Sequence, residues 1–158
     1  MKRKITRKII IHHSASPLMT TTLGMIRKWH KEKGFTDENG CCGYHFFIGA
    51  DGIVIPDRPV DDWGCGVKNA NHDAVHICLA GNFNIEQPLQ DQINPLKVLL
   101  VQLCNKYGLK YWNIYGHRDI KWMFIFNTTQ TDCPGTNLYK MLPLIRRWVG
   151  QQLGQING

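Results

Sequence analysis

The residue pattern predicts a single α/β domain with a central mixed β-sheet flanked by helices, on three observations. The run Ile9-Ile10-Ile11 within residues 8–13 is continuous and β-branched, as a strand buried on both faces is. Helix-period segments alternate with strand-like runs, the arrangement that lays helices on the faces of a sheet. Two short apolar runs flank Gly49-Ala50-Asp51-Gly52, a turn signature that makes an antiparallel hairpin and so a mixed sheet.

The elements follow in order. After the first strand, residues 14–19 form a loop broken by Pro17. Residues 20–22 supply threonine caps for a helix to about Lys33, with Leu23, Ile26 and Trp29 near helical spacing and Gly34 as its stop. The hairpin strands are 44–48 and 53–55. Residues 56–73 are irregular. The run 74–80 alternates Val75, Ile77 and Leu79 against His76, Cys78 and Ala80, a further strand. A long helix is predicted over 89–107, with Ile93, Leu96, Leu100 and Leu103 on one stripe, Pro95 near its first turn and Gly108 closing it. Residues 111–115 read as a short strand. A last helix covers 137–148 with Leu138, Met141, Leu142 and Ile145 inward, and the Gln- and Gly-rich tail from Gly150 is expected to fray. One domain thus covers 1–158, with its core over about 8–149 and a tail at 150–158.

A length of 158 residues, 43% of them hydrophobic and 20% charged, suits one packed core and argues against extended disorder. The net charge of +7 fits a soluble basic protein or one with a polyanionic partner. Lys2, Arg3, Lys4, Arg7 and Lys8 cluster at the start and read as a solvated lead-in to the first strand. Only three apolar residues follow them before two histidines, too few for a secretion signal, and no stretch reaches the ~18 apolar residues of a membrane span. The expectation is synthesis in the cytoplasm and no membrane insertion. Among the six cysteines, Cys78 and Cys104 lie in apolar runs and read as buried free thiols; a link from Cys41 or Cys42 to Cys65 stays open.

The chemistry-bearing stretch is 116–135. It begins Gly-His-Arg-Asp and ends Thr-Asp-Cys-Pro-Gly, with a period-free segment at 121–130 between. His117 and Cys133, at opposite ends of one loop, can face a single metal ion, since imidazole and thiolate are both good zinc ligands. A third donor is offered by His12 or His13, where the first strand ends. Two histidines and one cysteine leave a tetrahedral zinc ion one open corner, the pattern of a catalytic site.

Four segments in this order, Ile-Ile-His-His-Ser-Ala, Gly-Tyr-His-Phe-Phe-Ile followed by Asp-Gly, Gly-His-Arg-Asp, and Thr-Asp-Cys-Pro-Gly, resemble the type 2 N-acetylmuramoyl-L-alanine amidases. That superfamily takes in phage lysozymes of the amidase type and the peptidoglycan recognition proteins. The resemblance runs from about Ile9 to Trp148. It implies an amidase/peptidoglycan-recognition-protein-like fold, Zn²⁺ as cofactor, and His12, His117 and Cys133 as its ligands. His12 is preferred to His13 because the family's ligand directly follows the apolar strand. Tyr44 matches a tyrosine beside the metal. Thr131 stands where catalytic recognition proteins have threonine and phage enzymes have lysine. Cys78 stands where the cytosolic recycling branch carries a glutamate base. His13 or Asp119 can orient the ligating histidines, and His45, Trp63, Asn71 and His76 are candidate groove residues.

The function implied is zinc-dependent hydrolysis of the amide between N-acetylmuramic acid and L-alanine in peptidoglycan, as a phage or prophage endolysin that reaches the wall after release. A binding-only peptidoglycan recognition module is the alternative, weighed down by the complete ligand set. A nucleic-acid-binding domain rests on charge alone and is not expected. The chain is expected to be a monomer.

Overall fold

The computed structural model describes residues 1–122 and 131–157. Within these residues five strands form one sheet in the order β3-β2-β4-β1-β5. These are β1 (Lys8–His13), β2 (Phe46–Ile48), β3 (Val54–Pro56), β4 (Ala74–Leu79) and β5 (Ile114–Gly116). β1 runs parallel to both β4 and β5, β2 runs parallel to β4, and only β3 is antiparallel, through the Asp-Gly hairpin. Every residue of β1 and β4 is buried, as central strands covered on both faces are, including the polar Lys8, His12, His13 and His76.

Among the described residues three helices cover the two faces: α1 (Leu23–Glu32), α2 (Gln90–Tyr107) and α3 (Thr136–Gln152). The face carrying Ile9, Ile11, Val75, Ile77 and Leu79 packs against Leu96, Leu100 and Leu103 of α2 and Leu138, Leu142 and Ile145 of α3. On the other face Leu23 and Ile26 of α1 meet Phe47, Cys78 and Ala80. Beside them Ile10 and Ala74 pack with Val67, Ala70 and Ile120. Thr22 caps α1 by accepting the Met25 amide, and Gly34 follows its end at φ +71°. α2 ends on Gly108 at φ +65°. Buried Gln92 donates to the Ala80 carbonyl, tying α2 to the end of β4.

The structure departs from the sequence reading at Pro95, at residues 111–115, at the C-terminal end and at the N-terminus. Pro95 lies inside α2, in its second turn rather than near the first. Its missing N–H frees the Asp91 carbonyl, which turns against Gly52, where a Cβ would lie 2.2 Å from that oxygen. The expected strand at 111–115 begins as a turn of 3₁₀-helix (Tyr111–Asn113), because the Asn113 side chain accepts the Lys110 amide and curls the backbone. The last helix passes Trp148 and ends at Gln152. Its tail does not fray: Ile156 packs over Gly150, where no Cβ intervenes, and the Gln155 side chain accepts from the Tyr111 amide and donates to the Leu109 carbonyl. The basic N-terminus is only in part a solvated lead-in: Lys2, Lys4 and Arg7 are exposed, but Arg3 and Lys8 turn inward. Lys8 is 3% exposed and paired with Asp73, and Arg3 donates to the carbonyls of Val60, Asp62 and Ala74. These cations turn inward because carbonyls at 60–74 and a buried carboxylate need donors. The cysteines agree with the sequence reading: Cys78 and Cys104 are buried free thiols, and Cys41, Cys42 and Cys65 are free as well, so the link left open is not made.

The period-free segment predicted at 121–130 lies, beyond Trp122, outside the described residues; before it, His117–Trp122 is a 3₁₀-helix. Among the described residues no helix is long and apolar enough to cross a membrane.

Candidate metal centre

The site is assembled at the carboxyl ends of two neighbouring parallel strands, where open α/β sheets place their ligands. β1 ends in His12-His13 and β5 ends in Gly116, with His117 next in the chain. Strand alternation sends the two histidines of β1 to opposite faces. His13 goes to the α2–α3 side, where its Nδ1 accepts the Phe83 amide at 3.2 Å. His12 goes to the other face, its ring centroid 4.8 Å from that of His117 and set edge-on to it.

Cys133 is delivered by a turn in which the Gly135 amide donates to the Asp132 carbonyl, followed at once by α3. Two anchors hold that turn beside His117. The Arg118 amide donates to the Cys133 carbonyl at 2.9 Å, and the Arg118 guanidinium donates to the Asp132 carbonyl. Asp119 braces the same corner, accepting from the Gly116 amide, the Tyr139 hydroxyl and Arg146. It therefore holds the backbone that carries His117 and has no hydrogen bond to a ligating imidazole among the described residues.

His12, His117 and Cys133 each offer one ligand atom, and all three atoms lie within 4.8 Å of one another. His12 Nδ1 stands 3.5 Å from Cys133 Sγ. A tetrahedral zinc ion with Zn–N near 2.05 Å and Zn–S near 2.3 Å separates such a pair by about 3.6 Å, so the donor chemistry and the measured spacing both fit that ion. Burial holds the His12 imidazole well below its ordinary range, and neighbouring His117 and His76 push it the same way. Burial, with His13, brings His117 down to about 4. Both rings are neutral at pH 7 and have lone pairs to give. Burial pushes the Cys133 thiol up to about 12, against the pull of the His13 backbone N–H and of Arg118. An incoming cation must therefore displace a proton from this sulfur.

Around the donors, Tyr44 packs its ring 4.9 Å from His12 on one side and 4.9 Å from His30 on the other. Burial raises its phenol well above the ordinary range, so it stays a hydroxyl donor at neutral pH. Thr131 Oγ1 accepts the Cys133 amide at 3.1 Å, which leaves its own proton free to donate. A cleft of about 260 Å³ opens beside Tyr44, lined also by Ser14, Ile26, Trp29, His30 and Lys33. Sequence reasoning gave Trp29 and His30 no role; their α1 period marked only which residues face the core, not which line a neighbouring cleft.

The four groove candidates fall in different settings. His45 and His76 have no accessible surface and cannot touch a polymer. His45 Nδ1 accepts the His76 amide and its Nε2 faces the Asp62 carbonyl. His76 Nδ1 lies 3.0 Å from His12 Nε2, behind the metal centre rather than in front of it. Both faces of β4 are covered, so a polar side chain there turns into the protein. Asn71 Oδ1 accepts the amides of Gly66 and Val67 and so holds a turn. Trp63 is 38% exposed, with its ring 6.0 Å from that of His72.

Comparison with known proteins agrees with this architecture. The chain is 39% identical over 125 residues to an endolysin of Enterobacteria phage K11, covering 75% of this chain and 79% of that one. It is 37% identical over 112 residues to an endolysin of Klebsiella phage KP32, covering 67% and 72%. Its fold is similar to that of the N-acetylmuramoyl-L-alanine amidase LysC from Clostridium intestinale URNW, with a TM-score of 0.74 at 29% identity over 94% of this chain and 85% of the other. The sequence profile of the N-acetylmuramoyl-L-alanine amidases matches residues 1–136, and a match over so much of the chain places this protein in the N-acetylmuramoyl-L-alanine amidase family.

Proposed function

We propose that this chain is a zinc-dependent endolysin that cleaves the amide joining N-acetylmuramic acid to L-alanine in peptidoglycan, reaching the wall after release from the cytoplasm. The observation that carries the reading is the meeting of three donors from distant parts of the chain, with His12 Nδ1 and Cys133 Sγ 3.5 Å apart. Zinc bound there would polarise the amide carbonyl and lower the pKa of a bound water from 15.7 to about 7.

The protein supplies the rest. His12, His117 and Cys133 would hold the ion through three donors, one fewer than a closed structural zinc site uses. The Tyr44 hydroxyl, kept protonated by burial, and the free Thr131 O–H are the donors toward the oxyanion that develops on the carbonyl. The stem peptide enters over Tyr44, between Trp29 and Lys33 of the adjoining cleft.

The direct test incubates the protein with purified peptidoglycan and follows new L-alanine amino termini. Release should stop with a chelator and resume on adding zinc. Binding to the wall without release would leave a recognition module instead, and release that ignores chelation would remove the metal from the reaction.

A further inference from the structure

His76 sits on a fully buried strand, and its side chain has one hydrogen-bond partner among the described residues: Nε2 of His12, at 3.0 Å. We propose that His76 is a positioning residue that turns the Nδ1 lone pair of His12 toward the metal, and that glycine at 66 exists to admit this pairing. The inference rests on the zinc reading above.

Register explains how the two rings meet. β1 and β4 are parallel and pair Ile10 with His76 and His12 with Cys78. Facing residues in parallel strands share a side of the sheet, so His76 stands one step behind His12 on the same face. The rings approach at 5.2 Å between centroids.

Proton counting then leaves the bond two arrangements, of which metal binding needs one. The His76 backbone amide can only donate, and it donates to His45 Nδ1 at 2.9 Å. Neutral His45 therefore carries its proton on Nε2, 2.9 Å from the Asp62 carbonyl. His45 thus locks the backbone of His76 and leaves the His76 ring to answer His12. Two neutral imidazoles facing each other through Nε2 and Nδ1 hold one proton between them. If that proton sits on His76, His12 carries its own on Nδ1, aimed at Cys133, and cannot bind a cation there. If it sits on His12, Nδ1 is a bare lone pair. His76 Nδ1 is the acceptor that makes the second arrangement available on the buried side of His12, a residue 1% exposed. Partners of this kind on ligating histidines fix ring orientation and tautomer.

The glycines over the pair support the assignment. A Cβ on Gly66 would fall 2.6 Å from His76 Nδ1 and 3.1 Å from His12 Nε2, on the bond itself. A Cβ on Gly64 would fall 2.4 Å from His76 Cδ2. The Gly66 amide is held by Asn71 Oδ1 at 3.0 Å, so the backbone cannot readily back away.

The test uses the full chain with His76→Val, His76→Asn and Gly66→Ala. Zinc affinity is measured by competition with a chromophoric chelator, and the His12 tautomer by long-range ¹H–¹⁵N correlation of the zinc-loaded protein. Wild type should show His12 protonated at Nε2 and ligated through Nδ1. Loss of the acceptor in His76→Val should weaken zinc binding by about 10–100-fold. Asn, whose amide oxygen can stand near the place of Nδ1, should restore most of it. A folded His76→Val protein with wild-type zinc affinity and unchanged His12 resonances overturns the proposal. If the valine variant does not fold, the other two decide: Gly66→Ala with unaltered affinity, or an asparagine variant that binds as poorly as a ligand deletion, also overturns it. A wild-type chain that takes up no zinc removes the parent reading and this one together, whereas normal uptake in every variant removes this one alone.

Discussion

Lowering the pH should destabilise the metal-free protein through its buried imidazoles, and His45→Asn should remove a calculable part of that loss. His45 has no accessible surface. Burial brings its imidazole down to about 4, helped by Arg3 and opposed by the carbonyl of Asp62. An unfolded chain protonates the same ring near 6.5. The folded value is the lower one, so as pH falls the unfolded state takes the proton first and is favoured. The stabilisation is whole above about pH 6.5, drains away between there and about 4, and changes no further below. For a shift from 6.5 to 4 the loss between pH 7 and pH 5 is about 2 kcal/mol, a large share of the ~5–15 kcal/mol of a typical domain. Asparagine keeps an acceptor for the His76 amide and cannot titrate. Urea unfolding followed by tryptophan fluorescence, in chelator, at pH 7, 6 and 5 gives the comparison. His12 and His76 titrate in both proteins and cancel in the difference. The variant should lose about 2 kcal/mol less than wild type between pH 7 and 5. Parallel losses would mean that this ring already carries its proton in the fold, and the tautomer chain built on it would fail.

Three further outcomes are expected. Cys133→Ala should lose bound zinc while keeping its circular dichroism spectrum; elemental analysis with one zinc per chain would contradict the ligand set. Tyr44→Phe should keep its zinc and turn over about 10²–10³-fold more slowly, the usual effect of deleting one oxyanion donor; an unchanged rate would take Tyr44 out of the chemistry. Asp73→Ala strands Lys8 in the interior and should cost about 3–5 kcal/mol in a denaturant titration, where a loss below about 1 kcal/mol would imply that Lys8 finds water.

Local signals made much of the fold legible. The triple isoleucine of β1, the Asp-Gly hairpin and the threonine cap of α1 each act over a few residues, and each element lies within about two residues of its expected limits. The site was legible for a different reason: four short segments in one order carried His12, His117 and Cys133 through a family resemblance that no single segment could support. What stayed hidden depends on partners distant in the chain. Lys8 reads as a surface cation until Asp73 is seen beside it. His76 alternates with apolar neighbours, and alternation names a face without saying whether that face meets a cleft, a helix or another imidazole. Gly150 and Ile156 look like a loose tail because their packing depends on a missing Cβ.

The paired bonds from Arg118 to the backbone at 132 and 133 give the chain a closed neck. Residues on the far side of such a neck can be lengthened, shortened or exchanged without pulling the sulfur away from the imidazoles. A natural lineage or an engineer thus has a place to vary the length of the chain while the sulfur and imidazoles keep their spacing.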